Sequence, residues 1–168
     1  MSFINAGVST WGPLVEITES RIDSTFGPNF KGVVFGLKHQ LPAISKTWES
    51  GAIVVNSSVG GSKVLANMPM AAVYGASKAA AEMMIKYGAV EGAPLNVRVN
   101  GIAPGTVRTP LTLTMGEEGL QEMWKAGHLT GKGILPEEVV PLVMFLLSDG
   151  AKAITGSIHR VDQGASLK

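Results

Sequence analysis

The sequence contains no cysteine, and this absence removes several kinds of chemistry at once. Without cysteine there are no disulfides, no thiolate nucleophile and no cysteine-ligated metal site. The three histidines, His39, His128 and His159, lie far apart along the chain and lack the short spacings typical of metal ligands. The sequence therefore predicts a protein without a metal site.

Charge and long apolar runs are also scarce. Charged residues make up 16% of the chain, the formal net charge is +1, and no basic block occurs. This pattern argues against nucleic acid or an anionic membrane as the main partner. The longest apolar run, residues 139–147, is too short to span a bilayer. The N-terminal residues do not have the pattern of a secretory signal, so we expect a cytoplasmic protein.

The hydrophobic content is 45%, which is enough for a single domain over residues 1–168 with its own core. Apolar and β-branched runs predict strands at residues 2–6, 51–56, 95–102 and 157–161. Helical patterns predict helices at residues 30–44, 71–90 and 136–147. We expect the first helix to close near Pro42 and the last to bend at Pro141. Strands that alternate with helices indicate an α/β fold with a parallel sheet.

Three predicted strands are followed by small or polar residues. Asn5-Ala6-Gly7, Ser57-Ser58 and Pro104-Gly105 each stand at a strand end. Ligands of open parallel sheets bind at the carboxyl ends of the strands. The sequence therefore predicts that these three distant segments meet at one edge of the sheet.

One helical turn separates Tyr74 from Lys78 in the sequence Tyr-Gly-Ala-Ser-Lys. A tyrosine normally holds its proton up to a pH of about 10. A lysine ammonium one turn away favours the phenolate, so we expect Lys78 to lower the pKa of Tyr74. With a serine hydroxyl from Ser57 or Ser58 beside it, this pair could protonate or deprotonate a carbonyl or alcohol oxygen while a hydride moves at the adjacent carbon.

These motifs, taken in order, resemble those of the short-chain dehydrogenase/reductase family over nearly the whole chain. The matching residues are Asn5-Ala6-Gly7, Asn29, Ser58, Tyr74 with Lys78, the segment from Pro104 through Thr109, and the last predicted strand up to Gly164. The resemblance implies the C-terminal part of a Rossmann-like, doubly wound sheet of about four strands with flanking helices. It also implies an NAD(P)-dependent oxidoreductase that interconverts a secondary alcohol and a ketone.

The same resemblance implies a role for each matched residue. Tyr74 would be the acid/base, Ser58 would orient the substrate oxygen, and Asn29 would hold a water in a proton relay to Lys78. NAD or NADP would be bound by residues of the strand ends and the tyrosine helix, namely Asn5, Ala6, Gly7, Tyr74, Lys78, Pro104, Gly105, Val107 and Thr109. The small-molecule alcohol or ketone would lie under a mobile cover at residues 111–133, where Met115, Met123 and Trp124 suggest an apolar lid.

The sequence departs from the family pattern at its beginning. The family opens with a glycine-rich turn that holds the cofactor pyrophosphate, and no Gly-x-Gly-x-x-Gly occurs in these residues. We therefore expect a chain truncated by roughly 60–80 residues, the length of about two βαβ units. We also expect that it binds the cofactor weakly on its own, because no helix N-terminus is available for the pyrophosphate.

Several alternatives stay open from the residues alone. Ser57 is the fallback for Ser58, Asn29 could bond its own backbone at a helix break, and Thr109 could contact the cofactor or only cap the next helix. The predicted helices at 30–44 and 71–90 resemble those through which the family forms dimers and tetramers, so we expect a homo-oligomer. The competing functional hypothesis is a truncated, catalytically inactive homologue that acts only as an oligomerising or interaction remnant.

Overall fold

The structure is a computed structural model that describes residues 1–47, 49–65 and 70–168. Its centre is a four-stranded parallel sheet in the order β1-β2-β3-β4. The strands are β1 (Ser2–Ile4), β2 (Gly51–Asn56), β3 (Val97–Pro104) and β4 (Ile158–Val161). Phe3 pairs with Val54, and Val54 pairs in turn with Asn100. The predicted α/β fold with a parallel sheet of about four strands is confirmed.

Six α-helices connect and cover the strands in the described part of the chain. They are α1 (Glu19–Phe26), α2 (Gly32–Thr47), α3 (Ala72–Gly92), α4 (Pro110–Leu113), α5 (Gly116–Gly127) and α6 (Pro136–Leu147). A π-helical turn, Gly27–Lys31, joins α1 to α2. None of the helices in the described residues is both long and apolar enough to cross a membrane.

The two faces of the sheet bury separate hydrophobic clusters. Ile53 and Val55 of β2 pack with α2 and α3 on one face, whereas Val54 packs with α6 on the other. This alternation follows from the two-residue period of a strand, which sends successive side chains to opposite faces. Helices on both faces make the sheet doubly wound and explain why β2 is a continuous apolar run.

Two expectations about the helices are wrong. The helix predicted to close near Pro42 continues through that residue to Thr47, so α2 contains the proline in its interior. Residues 111–133, to which the sequence assigned no helix, form most of α4 and all of α5. Helix α5 contains Gly116, Gly119 and Gly127, and glycine lowers helix propensity, so this polar, glycine-containing stretch indicated a loop.

Candidate active site

A cleft of about 370 Å³ opens at the carboxyl edge of the sheet. It is lined by the ends of β1, β2 and β3 together with the first turns of α3 and α4. The cleft brings together ten of the residues selected from the sequence: Asn5, Ala6, Gly7, Ser58, Tyr74, Lys78, Pro104, Gly105, Val107 and Thr109. In the described residues, no three histidine, aspartate or glutamate side chains converge as metal ligands would.

Lys78 is buried at the floor of this cleft, with 5% of its surface exposed. Its Nζ donates a hydrogen bond to the carbonyl of Asn56 at 2.9 Å, at the end of β2. Burial lowers the pKa of Lys78 to about 8 because desolvation disfavours the ammonium. An ammonium has three N–H groups, and Asn56 is the acceptor found for them among the described residues. The lysine therefore has donor capacity for a ligand in the cleft.

The lysine approaches β1 closely because Gly7 has no side chain. A Cβ at this position would lie 3.4 Å from Lys78 Nζ and 3.2 Å from Asn29 Oδ1. Contacts that short leave little room for a methyl group. Glycine at this strand end therefore lets three segments of the chain meet.

Tyr74 lies one turn before Lys78 on α3, and the two side chains are in contact. Lys78 Nζ is 5.9 Å from the centroid of the tyrosine ring, at the outer limit of a cation–π contact. Burial raises the pKa of Tyr74, while hydrogen bonding with Ser58 acts in the opposite direction. The expectation that the pKa of Tyr74 is lowered is wrong for this structure, because desolvation of the phenolate outweighs the hydrogen bond with Ser58.

The two adjacent serines have different surroundings. Ser57 Oγ donates to Glu82 Oε1 at 3.1 Å, about two turns further along α3 than Tyr74. Ser58 begins a 3₁₀ turn at Val59–Gly61, and its Oγ accepts a hydrogen bond from the N–H of Gly60 at 3.2 Å. Ser58 is therefore the serine whose hydroxyl is next to Tyr74, and the Ser57 hydroxyl is used in a structural contact.

The serine turn touches α3 through main-chain atoms. A Cβ on Gly75, the residue after Tyr74, would lie only 2.9 Å from the carbonyl oxygen of Gly60. Real Cβ atoms essentially never come so close to an oxygen, so a side chain here would push the turn away. The absence of a side chain at residue 75 thus keeps the serine turn against the tyrosine helix.

Asn29 lies in the π-helical turn and is buried, with 1% exposure. Its side-chain amide spans the main chain of Val8, accepting from the N–H at 2.8 Å and donating to the carbonyl at 2.9 Å. It also donates to Ser77 Oγ at 2.9 Å, which connects the turn to α3. The alternative in which Asn29 bonds only its own backbone is wrong, since its partners are Val8 and Ser77.

The segment after β3 forms the opposite wall of the cleft. Val107 makes an isolated parallel bridge with Ile134, and Thr109 is the N-cap residue of α4. The N–H of Thr109 donates to Thr112 Oγ1 at 3.0 Å. The capping alternative for Thr109 is therefore observed, and a contact between Thr109 and the cofactor stays a prediction.

Two residues hold this wall: Trp124, which the sequence suggested only as part of an apolar lid, and His128, to which it gave no role. Trp124 Nε1 donates to the carbonyl of Thr106 at 2.8 Å, and the N–H of Thr106 donates to His128 Nε2 at 3.2 Å. His128 is 1% exposed, and its Nδ1 is 2.6 Å from the carbonyl of Lys132. This geometry requires the neutral tautomer with the proton on Nδ1. The four-residue spacing of Trp124 and His128 was the available signal, but it did not reveal the main-chain partner.

A family model described as enoyl-(acyl carrier protein) reductase matches residues 1–166. The chain is 35% identical to a cyclopentanol dehydrogenase of Comamonas testosteroni over 161 residues and to a 3-oxoacyl-(acyl-carrier-protein) reductase of Thermotoga maritima over 160. Each match covers 95% of this chain and 63% of the relative. The chain thus spans 63% of the length of these curated relatives.

Solved structures show the same likeness. A short-chain type dehydrogenase/reductase from Mycobacterium marinum has a TM-score of 0.92 and 26% identity, covering 99% of this chain and 64% of that one. A 4-hydroxyisoleucine dehydrogenase complexed with NADH has a TM-score of 0.86 and 28% identity, covering 99% of this chain and 68% of that one. The family model, these relatives and the shared fold agree, and the chain belongs to the short-chain dehydrogenase/reductase family.

Proposed function

We propose that this chain serves an NAD(P)-dependent interconversion of a secondary alcohol and a ketone, with Tyr74 as the acid/base. The single observation that carries the proposal is the convergence of Ser58, Tyr74 and Lys78 on one cleft at the carboxyl edge of the sheet. Solved relatives described as complexed with NADH or with NADP bound support the choice of cofactor.

The residues of the cleft fit the nicotinamide half of such a cofactor. Lys78 would donate hydrogen bonds to ribose hydroxyls, since Asn56 occupies one of its three N–H groups. Residues 5–7 and the wall formed by Pro104, Gly105, Val107 and Thr109 would enclose the same group. When bound, the nicotinamide supplies or accepts the hydride at the reacting carbon.

The protein's own contribution is the movement of one proton. The raised pKa of Tyr74 keeps its phenol protonated at neutral pH, so it is ready to donate to a carbonyl oxygen. Ser58 would hold that oxygen beside the phenol, because the two side chains interact and line the same cleft. Asn29 would not touch the substrate, because its side-chain amide already makes hydrogen bonds to Val8 and Ser77. Its effect on the reaction would be transmitted by Lys78. We propose that the water of the relay binds between Asn29 and Lys78.

The proposal includes a cytoplasmic homo-oligomer, a dimer or a tetramer. Support for self-association comes from large apolar side chains exposed on α2 and α3, among them Phe35, Met83, Tyr87 and Val90. Apolar groups that cluster on a surface often mark an interaction site. The lack of cysteine fits a reducing compartment.

The two tyrosines of the chain, Tyr74 and Tyr87, provide a matched test on one helix. With NADH or NADPH at saturating concentration and a panel of ketones, we expect Tyr74→Phe to lower kcat by about 10²–10⁴-fold, the usual contribution of a general acid. Tyr87 is 57% exposed, so Tyr87→Phe should retain the wild-type rate.

Full turnover by Tyr74→Phe would refute the acid/base assignment. A wild-type chain that binds cofactor and ketone but gives no turnover would support the inactive homologue instead. Nicotinamide fluorescence measures cofactor binding separately from turnover, so the two outcomes can be told apart.

A further inference from the structure

A second cavity, of about 80 Å³, adjoins the reactive side chains. Ser58 and Tyr74 line both this cavity and the larger cleft, so a molecule in the small cavity can reach the phenol. The remaining lining comes from the loop after β1, from the serine turn and from the wall after β3: Ser9, Trp11, Val59, Leu65, Gly105, Thr106, Leu111, Thr112, Met115 and Met123.

The lining is largely apolar and contains no charged side chain among the described residues. Six of its members are large apolar residues: Trp11, Val59, Leu65, Leu111, Met115 and Met123. The sequence also has no aspartate, glutamate, lysine or arginine between residues 64 and 70, the part of the chain next to Leu65. A carboxylate or phosphate in this cavity would lose its hydration without gaining a cation.

Two of the cations close in sequence to the lining, Arg108 and Lys63, have other partners. Arg108 forms an ion pair with Glu117, and Lys63 Nζ donates to the carbonyl of Ala165 at 2.6 Å. Each contact lies outside the cavity lining. Neither side chain lines the cavity.

Arg21 donates to the carbonyl of the lining residue Trp11 at 3.4 Å, but its guanidinium is exposed and outside the lining. Lys78, 5.9 Å from the Tyr74 ring, lines the larger cleft, where the proposed function assigns it to the cofactor ribose.

The size of the cavity is limited by the wall that carries Met115 and Met123. Helix α5 is tied to Thr106, itself a lining residue, by the hydrogen bonds from Trp124 and to His128. These bonds hold the two methionines over Ser58 and Tyr74. A cavity of about 80 Å³ is much smaller than the adjoining cleft of about 370 Å³, which favours a compact group at the reacting carbon.

Resting on the proposed function, we infer that the substrate is a compact, uncharged, apolar secondary alcohol or its ketone. Ketones whose carboxylate or phosphate would enter this cavity are disfavoured, because the lining offers no cation. The apolar group fills the cavity lined by Trp11, Leu111, Met115 and Met123, and the carbonyl oxygen faces Ser58 and Tyr74.

A matched pair of ketones tests whether the cavity rejects a charged group. The test measures binding and does not require turnover. The probes are 4-methylcyclohexanone and 4-oxocyclohexanecarboxylate, which differ mainly in charge at the far side of the ring. Ligand-observed NMR on the whole chain, with and without saturating NADH, measures both affinities. We expect the carboxylate to bind at least about tenfold more weakly, because its charge is buried without a partner.

A cation placed in the lining should reverse this preference. Met123→Lys should improve binding of the carboxylate and weaken binding of the methyl ketone. Met144→Lys is the matched control, because Met144 lies on the exposed side of α6 and does not line the cavity. This variant should leave the preference of the wild type unchanged.

Equal binding of the two ketones, or no binding of the methyl ketone, would overturn the inference. A Met123→Lys variant that leaves the preference unaltered would also do so, provided its circular dichroism matches that of the wild type. Selective binding in a Tyr74→Phe background together with an inactive wild type would sustain this inference while refuting the proposed function. Turnover of charged ketones would do the reverse.

Discussion

The two walls of the cleft are built in different ways. On the wall formed by α3, the residues around the tyrosine are deeply buried, including Ser77, Lys78, Ala81 and Glu82. On the opposite wall, residues 110–128, only Leu120 and His128 are buried, and the helices are tied to Thr106 by two hydrogen bonds. Well-packed regions open rarely, whereas regions with few buried contacts open locally at low cost. The difference suggests that one wall sets the chemistry and the other adapts to the substrate.

The largest expected effect is the difference between alanine substitutions of the two adjacent serines, Ser57 and Ser58, which lie against the wall formed by α3. Ser58→Ala should lower kcat by about 10²–10³-fold, the loss typical of a removed donor to a developing oxyanion. Loss of its cap on the N–H of Gly60 should cost about 0.5–2 kcal/mol of stability. Ser57→Ala should leave kcat nearly unchanged but destabilise the fold by about 1–3 kcal/mol, because Glu82 loses a buried partner. Steady-state kinetics and urea unfolding of both variants check the contrast, and a reversed pattern would exchange the roles of the two serines.

The next effect concerns the buried charge of Lys78. A pKa lowered from 10.5 to about 8 means that burying the ammonium costs about 3 kcal/mol, fully present below pH 8. Between pH 8 and pH 10.5 the lysine is neutral in the folded protein but still protonated in the unfolded chain. The cost of burying the ammonium therefore disappears as the pH rises through this range, and the protein becomes more stable. Lys78→Met removes this cost but also removes the hydrogen bond to Asn56. The net gain in the free energy of unfolding should therefore be about 1–3 kcal/mol at pH 7.

Urea unfolding at several pH values measures this difference. The gain from Lys78→Met should shrink above pH 8, whereas Lys125→Met on the exposed surface of α5 should show no such trend. A gain that does not depend on pH would contradict a desolvated lysine.

The third prediction addresses the adaptable wall. His128→Ala removes the acceptor for the N–H of Thr106 and the partner of the Lys132 carbonyl, which should cost about 1–3 kcal/mol. Hydrogen exchange at Thr106 should become faster, while exchange in β2 should follow only the global loss of stability. His39→Ala on the exposed face of α2 should change neither. Unaltered exchange at Thr106 would show that α5 is held by other contacts.

The smallest effect compares a glycine from each wall. Gly119→Ala in α5 meets only Met115 at 3.6 Å and should stabilise by up to about 1 kcal/mol through helix propensity. Gly75→Ala gains the same propensity, but its methyl group would meet the Gly60 carbonyl at 2.9 Å, so the net change should be a destabilisation of about 1 kcal/mol. Thermal unfolding measures whether each substitution stabilises or destabilises the protein. A stabilising Gly75→Ala would contradict the close approach of the Gly60 carbonyl to residue 75.

The sequence predicted some elements of the fold well and others poorly. The strand at 51–56 and the helix at 136–147 were predicted with the bounds that the structure shows, because β-branched runs and a Pro-Glu-Glu start are strong local signals. Helix α5 was missed because its three glycines favoured a loop. Its hydrogen bonds from Trp124 and to His128 at the main chain of Thr106 are long-range contacts that the sequence does not show.

The candidate site shows the same limit. The Tyr74–Lys78 spacing correctly predicted that the two side chains are close. It could not predict the direction of the pKa of Tyr74, because desolvation depends on everything packed around the ring. The π-helical turn at Asn29 was visible only as a Gly-Pro interruption, and the bonds from Asn29 to Val8 span 21 positions of the chain.

The contact between Gly60 and Gly75 has a consequence for how this scaffold can change. The distance between Ser58 and Tyr74 is maintained by the backbone contact of Gly60 with Gly75. It therefore does not depend on the side chains that line the neighbouring cavity. Trp11, Met115 or Met123 could be exchanged to admit a new ring or chain without shifting Ser58 and Tyr74, the groups proposed to hold the substrate oxygen and transfer the proton. A redesign of substrate preference should therefore begin with these three positions and leave both glycines untouched.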